Sequence, residues 1–424
     1  MADWKPFTNA DRPLAGIRVL SMEQAAALPF ATRHLADLGA EVIRVQSHNR
    51  PAPPLGIDAD ATRSKLQLGI DLSRPGGPEA FLSVAAKCDV VANNFTPKVM
   101  RRYGIDYGGV QAVNPTVIYV SLTGFGAGGP WGERPLFGPG SEAMSGHNLL
   151  IGEADAWPGR PPTLVYADDT CGLNCVFAIL AALDERDRSG RGCRIDLSLY
   201  ETAVSQLGPV VAERAFGAPL PERIGNADAN YGLHGVFATK GHDRNIAVSV
   251  TPEAMSRFFE ALGITSADEA AVTGAFSELD AGETAQRLQA AGIAAAPVAD
   301  ASDQTADAHL WQRGFFGRLQ RRLAGIDGDY PAAGPAWGGG ADVAMSEPRA
   351  VGADSRQVLR EIAGLWDGEI EALYQSGAAG EAQALAAVVG DNAAAAAIGV
   401  ERGELSRADA VFDGWRRASR EARR

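Results

Sequence analysis

A chain of 424 residues, 46% of them hydrophobic and 21% charged, is too long for one compact core, so two domains with an appended tail are its natural organisation. A net charge of −13 excludes a general nucleic-acid binder, which needs a basic face, but leaves room for an anionic small ligand held by a local cluster of cations. Four cysteines are too few for a disulfide framework, the N-terminus lacks an apolar leader, and no uninterrupted apolar run reaches the length of a membrane span; a cytoplasmic protein that engages no membrane is expected.

In chain order, Gly16 to Leu20 reads as a strand, Pro29 to Leu38 as a helix stopped by Gly39, and Glu41 to Val45 as a second strand. Strand, helix and strand with short joints make a βαβ unit and predict a parallel sheet. The pattern recurs with a helix over Ala80 to Lys87 and strands at Val90 to Ala92 and Thr116 to Leu122. Asp169 to Asp184 is the clearest helix, apolar on most faces and therefore expected to be buried; a polar turn and the strand Ile195 to Leu199 follow. Near residue 225 the texture changes. Strands at Gly235 to Ala238 and Asn245 to Val250, with helices near 252–262 and 283–291, predict a smaller α/β domain. Pro348 to Tyr374 reads as a helical return, and the chain then turns Ala-rich and ends in arginines. The division predicted is 1–224 for the first part of a large α/β domain, 225–329 for a small domain, 330–376 for a return to the large one, and 377–424 for an extension.

Several motifs invite chemistry. Gly124 to Gly129 has the GxGxxG spacing of a dinucleotide loop, but Pro130-Trp131-Gly132 stands where a helix should open, so a flexible Gly-rich loop is the better reading. Cys171 and Cys175 lie four apart on one helix, a metal-compatible spacing with no histidine pair beside it; small core residues are expected and no metal site. Thr96 to Gly104 makes a short basic helix, with Thr96 as cap and Pro97 in the first turn, that is either a solvated face or a phosphate site. Asp168 and Asp169 stand at the entrance to the long helix, where carboxylates serve as caps; a carboxylate there within reach of a ligand can also act as a nucleophile.

Taken together, four stretches resemble the family III CoA-transferases, a group that includes the α-methylacyl-CoA racemases. They are Pro13 to Val45, Asn94 to Gly104, Thr123 to Pro130 with Ala143 to Gly146, and Asp168 to Leu183 with the Ser189–Leu199 turn and strand. The resemblance runs from residue 12 to about 376 and is weaker in the smaller domain. It implies a Rossmann-like large domain built from both chain ends, a smaller α/β domain, and an interlocked homodimer. It also implies transfer of coenzyme A from an acyl-CoA to a carboxylic acid, with coenzyme A as substrate and no tightly bound cofactor. In that family the catalytic aspartate lies four residues before the helix glycine, so the resemblance to Gly172 and its surroundings implies Asp168 as the nucleophile and leaves Asp169 as the cap. Lys65 and Arg102, helped by Lys98, would contact CoA, and Gly124 and Gly126 would bring backbone donors close to the thioester. Departures cluster near the thioester: Ala25 and Ala26 where Gln or Arg is usual, Gln46 and Ser47 after the second strand, Asn93 for Glu, and Gly138 for the acid that follows an aromatic. Phe137 replaces the histidine of the racemases, which turns the expectation away from racemisation; a silent CoA-binding protein is the remaining alternative.

Overall fold

Six parallel strands line up in the order β3-β2-β1-β4-β5-β6 in the protein's computed structural model, which describes residues 12–49, 60–159, 166–266, 268–323, 326–334, 345–346, 348–382 and 414–422. They are β1 (Arg18–Met22), β2 (Glu41–Gln46), β3 (Lys65–Gly69), β4 (Val90–Asn93), β5 (Ile118–Thr123) and β6 (Cys193–Ser198). A sheet covered on both faces needs strands that are apolar throughout, and alternate residues then serve two cores. On β1, Val19 faces one core while Leu20 and Met22 face the other; on β5, Ile118, Val120 and Leu122 oppose Tyr119. One core is completed by Leu28, Ala31 and Leu35 of the helix Ala27–Asp37, packed against Cys171, Cys175 and Ile179 of the helix Tyr166–Ser189. The other is completed by Phe81 and Val84 and by Val358, Leu359 and Ile370 from far along the chain.

The return of the chain closes an open edge. An unpaired edge strand exposes a row of backbone groups. Here Gln67 N–H donates to the Asp354 carboxylate (2.8 Å), Asp354 N–H to Gln67 O (3.1 Å), Gly69 N–H to Ser355 Oγ (2.9 Å) and Gly380 N–H to Gly69 O (3.1 Å). A mixed α/β architecture with a parallel sheet is thus as the sequence led us to expect.

Beyond residue 225 a separate antiparallel sheet forms, ordered β7 (Leu233–Ala238), β8 (Asn245–Val250), β9 (Ala294–Pro297). Its own core is Ile246, Val248, Phe258, Phe276 and Leu288. The hairpin β10 (Phe316–Leu323) and β11 (Ile326–Ala333) follows, and the terminal helix Gly414–Glu421 sets Ala418 beside Trp311 and Phe316. Arg423, Arg424 and the Ala-rich run from 383 to 413 lie outside the described residues.

Three local expectations need correction. The helix read as Asp169 to Asp184 is 24 residues long, Tyr166–Ser189, so both aspartates sit inside its first turn. It is also not buried all round: Leu173, Phe177 and Leu180 form an exposed stripe, Phe177 with 73% of its surface open. By length and composition this helix could cross a membrane, but its other face is packed into the core described above. Finally, Thr96 makes no side-chain cap on the helix Pro97–Arg102; the Glu133 carboxylate takes the Lys98 N–H instead, at 2.9 Å.

Candidate active site

Open parallel sheets bind ligands beyond the carboxyl ends of their strands, at the point where strand order reverses, which here lies between β1 and β4. A groove of about 570 Å³ opens there. Its lining comes from the segments after the first four strands, including Glu23 and Gln24, Gln46 and Ser47, Asp71 and Ser73, and Phe95 with Arg102. Asp71 carries Ser73 and Asn49 as hydrogen-bond donors, which outweigh its slight burial and hold its carboxyl down at about 2. A second, smaller hollow of about 70 Å³ shares Gln24 and Phe95 with the groove and has Asp168 in its wall. The two hollows adjoin at Gln24 and Phe95, with the Asp168 carboxylate in the wall of the smaller one.

Each wall is fixed by its sequence. After β1 the chain turns through Ala25, a non-glycine residue at φ 56°, and Asn94 clamps that turn by accepting from Gln24 N–H (3.0 Å) and donating to Gln24 O (2.7 Å). The Gly-rich loop after β5 is tied to β6: Ala127 N–H donates to Asp196 Oδ1 (2.8 Å) and Tyr200 N–H to Gly124 O (3.0 Å). A methyl group at position 124 would collide with Leu136, so glycine lets the Arg134–Phe137 segment close over the hollow. Gly172 does the same for the long helix, where a Cβ would meet Ala27 O at 2.8 Å and Phe30 at 2.9 Å.

Asp168 is 7% exposed. Burial, then the neighbouring charges of Asp169 and Glu142, push its carboxyl up to about 7, while hydrogen bonds from the backbone N–H groups of Gly138 and Ala27 oppose the shift. Both donors are first residues of helices, so three helix N-termini meet at this carboxylate. Poised near neutrality, held by two fixed donors and lining a hollow, it can serve as a nucleophile or take part in proton transfer.

The other residues singled out in the sequence fall in different places. Arg102 lines the groove. Lys98 lies on the exposed side of the same helix, whose Arg101 pairs with Glu133. Lys65 does not face the groove at all. Its ammonium is sealed below the floor, donating to Glu23 Oε1 (2.6 Å), Thr32 Oγ1 (2.6 Å) and Pro29 O (3.0 Å), and its expected place as a CoA contact is corrected on that ground. Gly124 borders the Asp168 hollow, whereas Gly126, at φ 81°, shapes the turn behind it. The donors that reach Asp168 are Gly138 and Ala27, residues the sequence reading did not propose for that task. Asp169 is half-buried, with Arg33 nearby, and the N–H of Ala167 is taken by the carboxylate of Glu142 (3.2 Å), so the expected cap role of Asp169 passes to a residue of another helix. Nothing in the local sequence around Glu142 distinguishes it from a surface acid. Cys171 and Cys175 are both buried in the core, and burial pushes the Cys171 thiol up to about 12.

Comparison with known proteins identifies the family. The family model described as CoA-transferase family III matches residues 14–354. Among curated relatives, succinyl-CoA:glutarate CoA-transferase of Mus musculus is 32% identical over 249 residues, which span 56% of this chain and 57% of that enzyme. The β subunit of succinyl-CoA–L-malate CoA-transferase from Chloroflexus aurantiacus is 27% identical over 86% of this chain and 98% of its own length. A CAIB/BAIF family protein from Brucella suis superposes with a TM-score of 0.73 at 25% identity, covering 83% of this chain and 99% of that one. Rv3272 of Mycobacterium tuberculosis gives 0.66 at 24% identity, over 81% and 98% of the two chains, a likeness of fold. With a family model that matches residues 14–354, most of its length, this chain belongs to the CoA-transferase family III.

Proposed function

We propose that the protein transfers CoA from an acyl-CoA to a free carboxylate through covalent capture on Asp168. The observation that carries this reading is a buried carboxylate, poised near neutral pH, in the wall of a hollow that adjoins a groove of about 570 Å³ at the carboxyl ends of the strands. The Asp168 carboxylate attacks the thioester carbonyl, the C–S bond breaks, and CoA leaves as the thiolate from a mixed anhydride. The thiolate attacks the Asp168 carbonyl, expelling the donor carboxylate and leaving an aspartyl-CoA thioester. The acceptor carboxylate attacks that thioester and the thiolate leaves again. It then attacks the acceptor's acyl carbon, which forms the new thioester and frees Asp168. Whenever Asp168 itself is attacked, negative charge develops on its own carbonyl oxygen. The N–H groups of Gly138 and Ala27 already point at that carboxyl and need no rearrangement to stabilise the charge.

A dicarboxylic acid is the proposed acceptor class. The relatives named above act between succinyl-CoA and glutarate or malate. Arg134, on the wall of the Asp168 hollow, leans on the Trp131 ring at 5.6 Å and makes no ion pair among the described residues, so its guanidinium is free to take a distal carboxylate. Arg102 in the groove supports binding of the CoA phosphates. The homodimer implied by the resemblance belongs to the same proposal; the exposed Leu173, Phe177 and Leu180 stripe on the long helix supports a surface covered by a second copy. The test is exchange of labelled CoA between succinyl-CoA and a panel of mono- and dicarboxylates, with hydroxylamine trapping read by mass spectrometry. Label on Asp168 together with ping-pong kinetics is the expected outcome. Label on Asp169, or exchange of an α-hydrogen without transfer, removes the reading.

A further inference from the structure

Glu142 is 1% exposed and lies four residues after Gly138 on the helix Gly138–Ser145. One turn separates residues four apart, so that helix presents two groups to the same place: the Gly138 N–H to the Asp168 carboxylate, and the Glu142 carboxylate to the Ala167 N–H at 3.2 Å. The residue it caps is the immediate neighbour of Asp168. Any carboxamide or hydroxyl acceptor would satisfy that N–H; the residue present is an acid, buried next to another acid, where two negative charges repel with little water to screen them.

We propose that Glu142 is a positioning residue for the Asp168 nucleophile: it anchors the first turn of the nucleophile helix and holds a second negative charge against Asp168, so that acylation is favoured because it discharges Asp168. The inference rests on the transferase reading above. In the resting site the charge of Glu142, whose carboxylate accepts from the N–H of the adjacent Ala167, acts on Asp168. When Asp168 attacks the thioester, its C–O bond forms, the C–S bond breaks and the negative charge departs on the thiolate. When the thiolate returns, the charge leaves on the donor carboxylate. Through the aspartyl-CoA stage Asp168 is neutral and Glu142 has lost its repulsive neighbour. The same repulsion raises the basicity of Asp168 and hence its strength as a nucleophile.

Other charges bear on the pair. Asp169, on the same helix, adds to the repulsion, and Arg33 acts on Asp169 from the helix Ala27–Asp37. The Cys171 thiol is kept protonated by burial and by the charge of Asp168. His147 feels the charge of Glu142, though burial lowers its pKa overall, and Arg134 borders the hollow.

Glu142→Gln keeps a side-chain carbonyl for the Ala167 N–H and removes the charge. The substrate-free readout is an infrared titration of the full-length protein, with the Asp168 carboxyl band identified by its loss in Asp168→Asn. In Glu142→Gln the band should titrate about one pH unit lower than in wild type. The acid limb of kcat/KM for succinyl-CoA should move in the same direction, and the fraction trapped as aspartyl adduct should fall several-fold. A purely structural cap would move none of these, while Glu142→Ala, which also loses the acceptor, should lower Tm. An unmoved titration and pH profile in Glu142→Gln overturn the proposal and leave the transferase reading standing. A shifted titration in a protein that forms no adduct with any acyl-CoA overturns both the transferase reading and the catalytic role, leaving an electrostatic coupling without a reaction.

Discussion

Two buried charge clusters lie within the same domain, and they are built in opposite ways. Beneath the groove, Glu23 is fully buried and would be raised by burial alone, but Lys65 and Arg44 outweigh that and hold it below its usual range. Its oxygens also accept from Ser21 (2.7 Å) and Thr32 (2.5 Å), so every charge there has an opposite partner or a donor. At the smaller hollow, Asp168 has two acids for neighbours and, among the described residues, two backbone donors that offset them. A buried ion pair costs desolvation that its partners repay; a buried like-charge pair keeps the cost as reactivity. The lesson is that burial of a charge says little about its work until the sign of its neighbours is known.

The largest effect should come from Asp168→Asn. Transfer should fall to background, measured by CoA exchange, while the fold becomes more stable. The folded protein holds the Asp168 proton up to about pH 7, whereas an ordinary aspartate releases it near 3.8. Folding therefore takes up a proton between those values, and stability is lost as pH rises from about 4 to 7. The neutral amide removes that loss, so thermal melts at pH 8 should show a gain of at most about 4 kcal/mol that shrinks towards pH 4. A variant that is inactive and also less stable at pH 8 would break the comparison.

The groove-floor cluster predicts the reverse. Lys65→Met leaves the buried Glu23 with Arg44 as its remaining cation, and unfolding should become easier by about 3–5 kcal/mol in denaturant melts. CoA affinity of the protein that remains folded should change little, because Lys65 lies below the floor. A selective loss of CoA binding without loss of stability would restore the contact role first expected of this lysine.

That expectation shows where sequence reading reaches its limit. The alternation of apolar strands with helices made the parallel sheet legible, since patterning is local. The position of Asp168 at the start of the long helix was legible too, four residues before Gly172, whose missing side chain lets two helices approach. Lys65 was misplaced because a lysine next to an apolar strand gives no hint whether its ammonium points to water or to Glu23, 42 residues earlier. Glu142 escaped for the same reason: its partner, the Ala167 N–H, is 25 residues away. The loop glycines drew attention as donors, yet Ala127 N–H is committed to Asp196, and the groups that reach Asp168 are helix-start amides with no side-chain signature.

The basic helix separates contact from proximity on a smaller scale. Arg102 lines the groove and Arg101, its neighbour, is spent on Glu133 at the surface. Arg102→Ala should weaken CoA binding by about 1–3 kcal/mol in calorimetry, the range of a charge-assisted hydrogen bond. Arg101→Ala should change it by less than about 1 kcal/mol, because an exposed ion pair contributes little. Equal losses would mean that only the summed charge of the helix matters.

Arg134 gives the smallest and most specific effect. It is exposed, so solvent screening limits a carboxylate contact to about 1 kcal/mol, roughly fivefold in KM. The direction of the split is what decides. If the guanidinium reads the distal carboxylate of the acceptor, Arg134→Gln should raise KM for glutarate and leave kcat and the KM of a monocarboxylate such as butyrate alone. Asp168 would still be poised by burial, Asp169 and Glu142, since Arg134 is not among the groups that shift it. An equal rise for both acids would assign Arg134 to general anion attraction. A fall in kcat with KM unchanged would place it instead at the reacting atoms, on the side of the hollow where charge develops.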